Sequence, residues 1–296
     1  MFKISVRNFQ MDHSIKSDLH LHTTHSDGRL SPSDLLTLCY ERGLNTISVT
    51  DHDTTSGLQE CEDLSLEKGM DFIPGIEFGA KAKRGEIHIL GYFINRDDCA
   101  LQEVLSELQE DRKTRAERMV ALLCQTGTPV SWDRVSELAA SGSVGRPHIA
   151  QALVEEGYAS HPKDAFDRLI NWKAPAYIPR KLIQPKEAVD LINGSGGLAV
   201  LAHPLESKAK SGRREIFELE TTIASLVDFG IVGIEAYYGD YSAEQVERVI
   251  SIANRYGLIP CGGSDYHAAG NPIEPEPGDM GPPMESVELL KNLKTS

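Results

Sequence analysis

Histidines and carboxylates are grouped in a few short segments of this sequence. The chain of 296 residues has ten histidines, and several of them lie in the segments SDLHLHTTHSD, TDHD and SDYH. Imidazole nitrogens together with carboxylate oxygens suit zinc, manganese or iron, whereas Mg²⁺ prefers oxygen ligands. The grouping therefore predicts a site for divalent transition-metal ions.

The candidate ligands lie where predicted strands end or begin. His20 and His22 are two residues apart on a strand, so both rings point to the same face. The fourth strand opens with His88, which reaches the same end of the sheet if that strand runs antiparallel. Because the ligands outnumber the positions around one ion, we expect two or three divalent ions (Mn²⁺, Fe²⁺ or Zn²⁺) that share a carboxylate. The candidate ligands are His20, His22, Asp27, His52, Glu77, His88, His203, Asp265 and His267.

Apolar runs typical of β-strands recur along the chain, and helical patterns separate most of them. This alternation predicts an α/β fold with a parallel sheet, either a barrel or an open sheet. The segment GAKAKRGE between the third and fourth runs is too short for a helical crossover and predicts a hairpin. The predicted strands are Ile15–His22, Asn45–Thr50, Asp71–Phe78, Ile87–Ile94, Leu198–His203, Ile231–Tyr237 and Leu258–Gly263.

Residues 98–175 break the alternation, because their apolar residues follow helical spacing throughout. We interpret 98–175 as a helical insertion, which is either a lid over the site or a module for stability or dimerisation. It divides a discontinuous barrel domain formed by 14–97 and 176–270. Residues 271–296 are predicted to form a C-terminal tail with one short helix.

The charge balance argues against a long nucleic-acid partner. Lys and Arg number 30 against 44 Asp and Glu, a formal charge of −14, and such a protein lacks the basic face that a long polyanion needs. A small anion can still bind where metal ions supply positive charge. No apolar run reaches the roughly 18–20 residues of a membrane span, and five cysteines without CxxC spacing fit a reducing compartment. We therefore expect a cytoplasmic protein with no membrane partner.

The ordered motifs of the chain resemble those of the PHP (polymerase and histidinol phosphatase) metallophosphoesterases: SDLHLHTTHSDG, VTDHDT, GIE, HILGYF, GRPHIAQALVEEGY, AVLAHP and GGSDYH. They run from Asp18 to His267, nearly the whole chain. The resemblance is closest to the branch whose helical insertion contains RPHIA, which includes nucleoside 3′,5′-bisphosphate phosphatases and a related 5′-to-3′ exoribonuclease. It implies a distorted (β/α)7 barrel with up to three metal ions, in agreement with the seven predicted strands.

The resemblance also implies how the ligands divide among three ions, with Glu77 as the bridging carboxylate. The three sets are His20, His22, Glu77 and Asp265; Glu77, His88 and His203; and Asp27, His52 and His267.

Two roles near these ligands stay open from the sequence. Asp27, His52 and His203 are the candidates for the catalytic group that protonates the leaving group. The neighbouring His25, Asp51 and Asp53 either orient ligand rings or cap turns.

A phosphate ester is the substrate class that such ions suit, because they activate water and neutralise the charge of the substrate. A second phosphate needs its own cation, and Arg146 is our first candidate because the resemblance places its segment over the site. Arg180 is the second candidate, whereas Arg112 and Arg115 are weaker because an exposed helix face is usually only solvated. His148 either contacts the substrate or stabilises the start of a helix.

We therefore expect a metal-dependent phosphoesterase that removes the 3′-phosphate of a nucleoside 3′,5′-bisphosphate, a small anionic nucleotide. Short RNA, trimmed from its 5′ end, is a further expected substrate. An alternative is another small phosphomonoester such as histidinol phosphate. A different class is a non-catalytic, metal-bound accessory domain, which loss of ligands would indicate, and this sequence keeps every ligand.

Overall fold

Seven strands form one sheet whose order follows the sequence. The computed structural model describes residues 16–83, 85–139, 142–205, 213–270 and 274–295, with the backbone alone for 213–218. The strands are β1 (Ser17–Leu21), β2 (Thr46–Val49), β3 (Asp71–Lys81), β4 (Glu86–Tyr92), β5 (Leu198–Leu201), β6 (Gly233–Tyr238) and β7 (Ile259–Gly263). Each overlaps a strand predicted from the sequence, so the α/β prediction is confirmed.

The sheet is parallel except around β4. This strand runs antiparallel to β3, with Gly79 opposite His88, and antiparallel to β5 as well. The other neighbouring strands pair in parallel. The hairpin predicted from the short link is therefore confirmed. The reversal brings the first residues of β4, which include His88, to the end of the sheet where the other candidate ligands lie.

Backbone contacts bring the first and last strands together. The N–H of Asp265 donates to the carbonyl of His20 at 2.9 Å, and the N–H of His22 donates to the carbonyl of Tyr266 at 3.1 Å. These contacts curve the sheet into a nearly closed, distorted seven-stranded barrel, which is the architecture that the resemblance implied.

The described residues form ten helices, and local sequence sets the ends of several. Ser31 accepts a hydrogen bond from the N–H of Asp34 at the start of α1, and Gly257 ends α9 with a φ of 69°. The helices are α1 (Pro32–Glu41), α2 (Leu58–Lys68), α3 (Cys99–Gln125), α4 (Trp132–Ala139), α5 (Arg146–Glu155), α6 (Pro162–Arg168), α7 (Pro185–Gly194), α8 (Arg213–Phe229), α9 (Ala243–Tyr256) and α10 (Met284–Lys294).

Helices α3 to α6 lie between β4 and β5 in the chain. Apolar side chains of α4–α6 and of the second half of α3 form their own core, which includes Met119, Ile149 and Leu153. The first half of α3 instead packs with the barrel core through Leu101 and Leu105. The helical segment therefore shares its first helix with the barrel.

The domain limits 14–97, 98–175, 176–270 and 271–296 stay a prediction. Residues 14, 15, 84, 140, 141, 206–212, 271–273 and 296 of these ranges lie outside the described residues. In the part of the chain that the structure describes, no helix combines the length and the apolar character needed to cross a bilayer.

A buried ion pair joins α3 to the barrel. Asp53, which follows β2, accepts a hydrogen bond from Nε of Arg112 at 2.7 Å, and Nη2 of the same guanidinium lies 2.6 Å from the carboxylate. Burial would raise the pKa of Asp53, but Arg112 and then Arg180 lower it. Gln109 adds a hydrogen bond to the carbonyl of Asp53.

Replacing Arg112 with alanine should destabilise the fold, because it leaves the buried Asp53 carboxylate without its main cation. We expect the free energy of unfolding to fall by about 3 kcal/mol, measured by urea denaturation. Arg134→Ala, which removes an exposed ion pair with Glu155, is the control and should change it little. A similar small loss for both variants would show that the Asp53 pair does not hold α3 in place.

Candidate metal centre

The carboxylate of Glu77 on β3 lies at the centre of the predicted site. The side chain is 1% exposed, and imidazole nitrogens approach its oxygens from five directions. The distances are 3.4 Å to His20, 3.3 Å to His22, 3.0 Å to His52, 2.7 Å to His88 and 3.2 Å to His203. Residues from β1, β2, β4 and β5 therefore meet at one carboxylate.

Two further carboxylates extend this cluster. Oδ1 of Asp265, just after β7, lies 3.1 Å from Nε2 of both His20 and His22. Asp27 lies 3.3 Å from Nε2 of His267 and 3.8 Å from Nε2 of His52. All nine predicted ligands are thus brought together at the carboxyl end of the parallel strands.

The atoms of the cluster fit metal ions better than a network of hydrogen bonds. His20 Nε2, His22 Nε2, His52 Nδ1 and Glu77 Oε2 are buried without a hydrogen-bond partner. Ligands about 2.1 Å from one ion lie roughly 3.0–3.4 Å from each other, and His20, His22, Glu77 and Asp265 show separations of 3.1–3.4 Å. Two further groups have ligand atoms within 4.8 Å of one another: His22, Asp27, His52 and His267; and His52, Glu77 and His88.

A cleft of about 980 Å³ opens beside the cluster. Asp27, His52 and His203 lie in its wall, so each candidate for leaving-group protonation faces the space where a substrate fits. The cationic residues in the wall are Lys83, Arg112, Arg115, Arg146, Arg180 and Arg248.

The arginines of α3 are not the solvated surface residues that the sequence suggested. Arg112 and Arg115 are each only 8% exposed, because the loops of the barrel and the segment around Tyr177 cover that face of the helix. Nε of Arg115 donates to the carbonyl of Ile178 at 2.7 Å. The expectation of an exposed helix face was therefore wrong.

The other predicted substrate contacts differ in how they are held. Arg146 stacks over the rings of Phe166 and Tyr177, whereas Arg180 is bound by Glu86. Nδ1 of His148 accepts a hydrogen bond from the N–H of Gly145 at 2.9 Å, which is the helix-start role left open from the sequence.

Comparison with known proteins identifies the family. The model of the PHP domain matches residues 18–174, more than half of the chain. The chain belongs to the PHP family. Its relatives include a 3′,5′-nucleoside bisphosphate phosphatase of Chromobacterium violaceum, 32% identical over 86% of this chain and 87% of the relative. The 5′-3′ exoribonuclease Rnm of Salmonella typhimurium is 31% identical, covering 86% of each protein.

Two further relatives of this PHP protein widen the range of known activities. The phosphoribosyl 1,2-cyclic phosphate 1,2-diphosphodiesterase of Eggerthella lenta is 32% identical over 84% of this chain and 93% of the relative. A solved structure from Bifidobacterium adolescentis, assigned as a metal-dependent phosphoesterase, superposes with a TM-score of 0.83 at 29% identity, covering 93% and 94% of the two chains. This PHP protein is accordingly a metal-dependent phosphoesterase, and the predictions of family, fold and hydrolase class are confirmed.

Charges within the PHP site stabilise each other. Burial would raise the pKa of Glu77, yet the imidazoles, first His52 and His88, hold it well below its usual range. Burial would lower the pKa of His267, but Asp27 contributes most to raising it to about 10. Burial lowers the pKa of His52 to about 3. The cluster without metal therefore contains ionised carboxylates beside both charged and neutral imidazoles.

The backbone is strained at three positions of the PHP site. Asp53, His203 and Asp265 have φ values of 53°, 23° and 57°, in a region that side-chain-bearing residues rarely adopt. Each such residue costs on the order of 1–3 kcal/mol. The surrounding contacts must offset this cost, and at His203 they include the hydrogen bond that its N–H donates to Glu235.

The contacts of Asp51, His25 and Asp53 show which of these neighbouring residues orients a ligand ring. Asp51 accepts hydrogen bonds from Thr23 and from the hydroxyl of Ser26, which lies 3.4 Å from Nδ1 of His22. Asp51 therefore supports a ligand ring through Ser26. Nδ1 of His25 is hydrogen-bonded to the hydroxyl of Ser56 at 2.8 Å, and Asp53 forms an ion pair with Arg112 as described above.

Sequence reasoning missed Glu235 on β6, which is completely buried. Its Oε1 accepts from Nδ1 of His20 at 3.0 Å and from the N–H of Gly263 at 3.2 Å, while Oε2 accepts from the N–H of His203 at 2.8 Å. The carboxylate thus fixes Nδ1 of His20 as a donor, so that Nε2 faces Glu77 and is the nitrogen that can bind a metal when the ring is neutral. A charged residue inside the apolar run IVGIEAYY was the available signal, because buried charges need partners.

Glu235→Gln should weaken metal binding, although glutamine has the same shape. An amide has one oxygen that accepts hydrogen bonds and one NH₂ group that donates them. In this variant the NH₂ group faces either His20 and Gly263 or the N–H of His203, and these groups are donors themselves. We expect affinity for Mn²⁺ to fall about 10- to 100-fold, measured by calorimetry. Glu220→Gln, at an exposed ion pair with Arg255, is the control. Unchanged affinity in Glu235→Gln would contradict the positioning role.

Metal binding should release protons, because ligand imidazoles bind metals in the neutral form. Neighbouring carboxylates raise the pKa of both His20 and His267 in the metal-free protein, so both rings are positively charged at neutral pH. Titration with Mn²⁺ in buffers of different ionisation enthalpy should show release of about one proton or more, and affinity should increase as pH rises. The His267→Ala variant should release fewer protons. Heats that do not depend on the buffer would mean that the rings are already neutral.

Proposed function

We propose that this PHP protein hydrolyses the 3′-phosphate of nucleoside 3′,5′-bisphosphates and trims short RNA from its 5′ end. The observation that carries the proposal is that the ligand cluster and Arg146 border one cleft. A substrate with two phosphates can then place one at the cluster and the other at the guanidinium. The names of the relatives from C. violaceum and S. typhimurium support both substrates.

The clustered residues would hold two or three divalent ions. The groups described above include the implied set His20, His22, Glu77 and Asp265, whereas beside Glu77 and His88 the group contains His52 and not the implied His203. When bound, such ions supply Lewis-acid activation of water and of the phosphoryl group. Glu235 keeps the ring of His20 oriented, and it holds the backbone of His203 by accepting a hydrogen bond from its N–H.

Protonation of the leaving 3′ oxygen falls to Asp27, His52 or His203, which all lie in the wall of the cleft. A residue that is bound to a metal cannot donate a proton freely, so the acid is the one that is not a ligand during turnover. His203 is a candidate because, unlike Asp27 and His52, it belongs to none of the three groups of ligand atoms described above, and Glu235 holds its backbone.

Arg146 fits the second phosphate better than Arg180. Arg180 already contacts Glu86 and lies 3.4 Å from Nε2 of His88, so its charge is partly neutralised. Arg146 forms no ion pair with a described carboxylate, and the aromatic rings of Phe166 and Tyr177 hold its guanidinium plane. A phosphate can therefore accept two hydrogen bonds from Arg146 without displacing a carboxylate.

The alternatives can be separated by product analysis. Histidinol phosphate has no second phosphate, and a cyclic phosphate such as that of the E. lenta relative gives no free phosphate in one step. The non-catalytic accessory role is set aside, because the chain belongs with PHP hydrolases and keeps all nine candidate ligands.

The test is phosphate release from adenosine 3′,5′-bisphosphate by protein purified with Mn²⁺, with a chelator-treated control. We expect metal-dependent formation of adenosine 5′-monophosphate, and its loss in a His20→Ala/His22→Ala double variant. Metal-loaded protein that releases no phosphate would disprove the nucleotide substrate. Hydrolysis by the double variant would disprove the role of the cluster.

Arg146→Ala should raise KM for the bisphosphate about 10- to 100-fold, the range expected when one charged hydrogen-bonded contact is lost. KM for a monophosphate ester should change far less, because that substrate has no second phosphate. Arg118→Ala, at an exposed position on α3, is the control. Equal increases of KM for both substrates would remove Arg146 from this role.

A further inference from the structure

The cations that line the cleft differ in whether protein groups already neutralise them. Arg112 is paired with Asp53, and Arg180 with Glu86. Arg115 donates to a backbone carbonyl. These three guanidinium groups therefore already form contacts with other groups of the protein.

Arg248 on α9 differs from these three arginines. It lies in the wall of the cleft, it is half-buried, and it forms no ion pair with any carboxylate of the described residues. Arg112 and Arg180 in the same cleft are each paired with a carboxylate, whereas Arg248 is not paired with one in the described part of the chain. A half-buried arginine in a cleft wall that has no carboxylate partner is available to an anionic ligand.

Arg146 and Arg248 reach the cleft from different parts of the fold. Arg146 belongs to α5, whose Ile149 and Leu153 pack in the core of the helical segment. Arg248 belongs to α9, whose Val246 and Val249 pack in the barrel core. His52, His88 and His203 of the ligand cluster lie in the wall of the same cleft, so the cluster and both arginines border one space.

We propose that Arg248 binds a phosphate on the 3′ side of the bond that is cleaved, so that the cleft accepts a phosphodiester chain running from Arg146, past the ligand cluster, to Arg248. This rests on the proposed function and extends it, since a nucleoside bisphosphate has no phosphate beyond the one that is hydrolysed. The substrate class that uses the whole cleft is a 5′-phosphorylated oligonucleotide of at least three nucleotides.

The chemistry is the same for both substrates. Water adds a hydroxyl to phosphorus, the bond between phosphorus and the 3′ oxygen breaks, and the 3′ oxygen takes a proton. A bisphosphate then gives a nucleoside 5′-monophosphate and phosphate. An oligonucleotide gives a nucleoside 5′-monophosphate and a chain with a new 5′-phosphate, which can bind at Arg146 in its turn.

The test compares kcat/KM for a 5′-phosphorylated triribonucleotide with kcat/KM for adenosine 3′,5′-bisphosphate. In Arg248→Ala we expect the ratio of the two values to fall about ten-fold, because only the longer substrate loses a charged contact. The dependence of trinucleotide KM on salt should also become less steep. Arg255→Ala, which lies on the same helix but is paired with Glu220, is the control and should leave the ratio unchanged.

A variant of opposite sign tests the same idea. Glu244 lies one helical turn before Arg248 and also lines the cleft, so its charge repels a phosphate there. Glu244→Gln should therefore raise the ratio in favour of the trinucleotide. A ratio that is unchanged in both variants, or equal losses on the two substrates in Arg248→Ala, would overturn the proposal.

Failure of the proposed function can be distinguished from failure of this inference. If the metal-loaded wild type hydrolyses neither compound, the proposed function is wrong, and binding can be measured directly. Fluorescence anisotropy of the trinucleotide labelled at its 3′ end should then show weaker binding to Arg248→Ala than to Arg255→Ala. Equal binding by these two variants would overturn the subsite.

Discussion

The rest of the structure depends on one buried carboxylate, that of Glu77, which is surrounded by five imidazoles. A carboxylate at 1% exposure is costly unless cations or hydrogen bonds compensate it. The fold supplies them from four strands, and this requires the reversal of β4. If β4 ran parallel to β3, His88 at its start would lie at the opposite end of the barrel and the cluster would lose a ligand.

A second layer of carboxylates holds the imidazoles in place. Glu235 joins three strands by accepting from His20, Gly263 and the N–H of His203, and Asp51 acts on His22 through Ser26. The same contacts maintain the strained backbone at His203. The ligand rings are therefore oriented by contacts that do not need a metal, which reduces the ordering that metal binding must supply.

Local sequence patterns were sufficient to predict the strands and to indicate that the nine candidate ligands lie close together, because strand ends and short links can be recognised within a few residues. They were not sufficient for side chains whose environment is made by distant segments. Arg112 was expected on a solvated face, yet Asp53, which precedes it by 59 positions, buries it. The role of Glu235 depends on β1, β5 and β7 meeting at one point. The pattern of apolar residues along any one segment cannot predict that these strands meet.

The excess of acidic residues explains how this protein can select phosphates without a basic surface. The chain has 44 acidic residues against 30 basic ones, and several arginines are paired with carboxylates, as in Arg112–Asp53 and Arg180–Glu86, so a general attraction for polyanions is suppressed. In the proposed function, attraction would remain where the ligand cluster holds divalent ions and where Arg146 and Arg248 have no carboxylate partner among the described residues. Phosphates would then be recognised by their spacing along the cleft, because affinity would depend on reaching these positions at the same time.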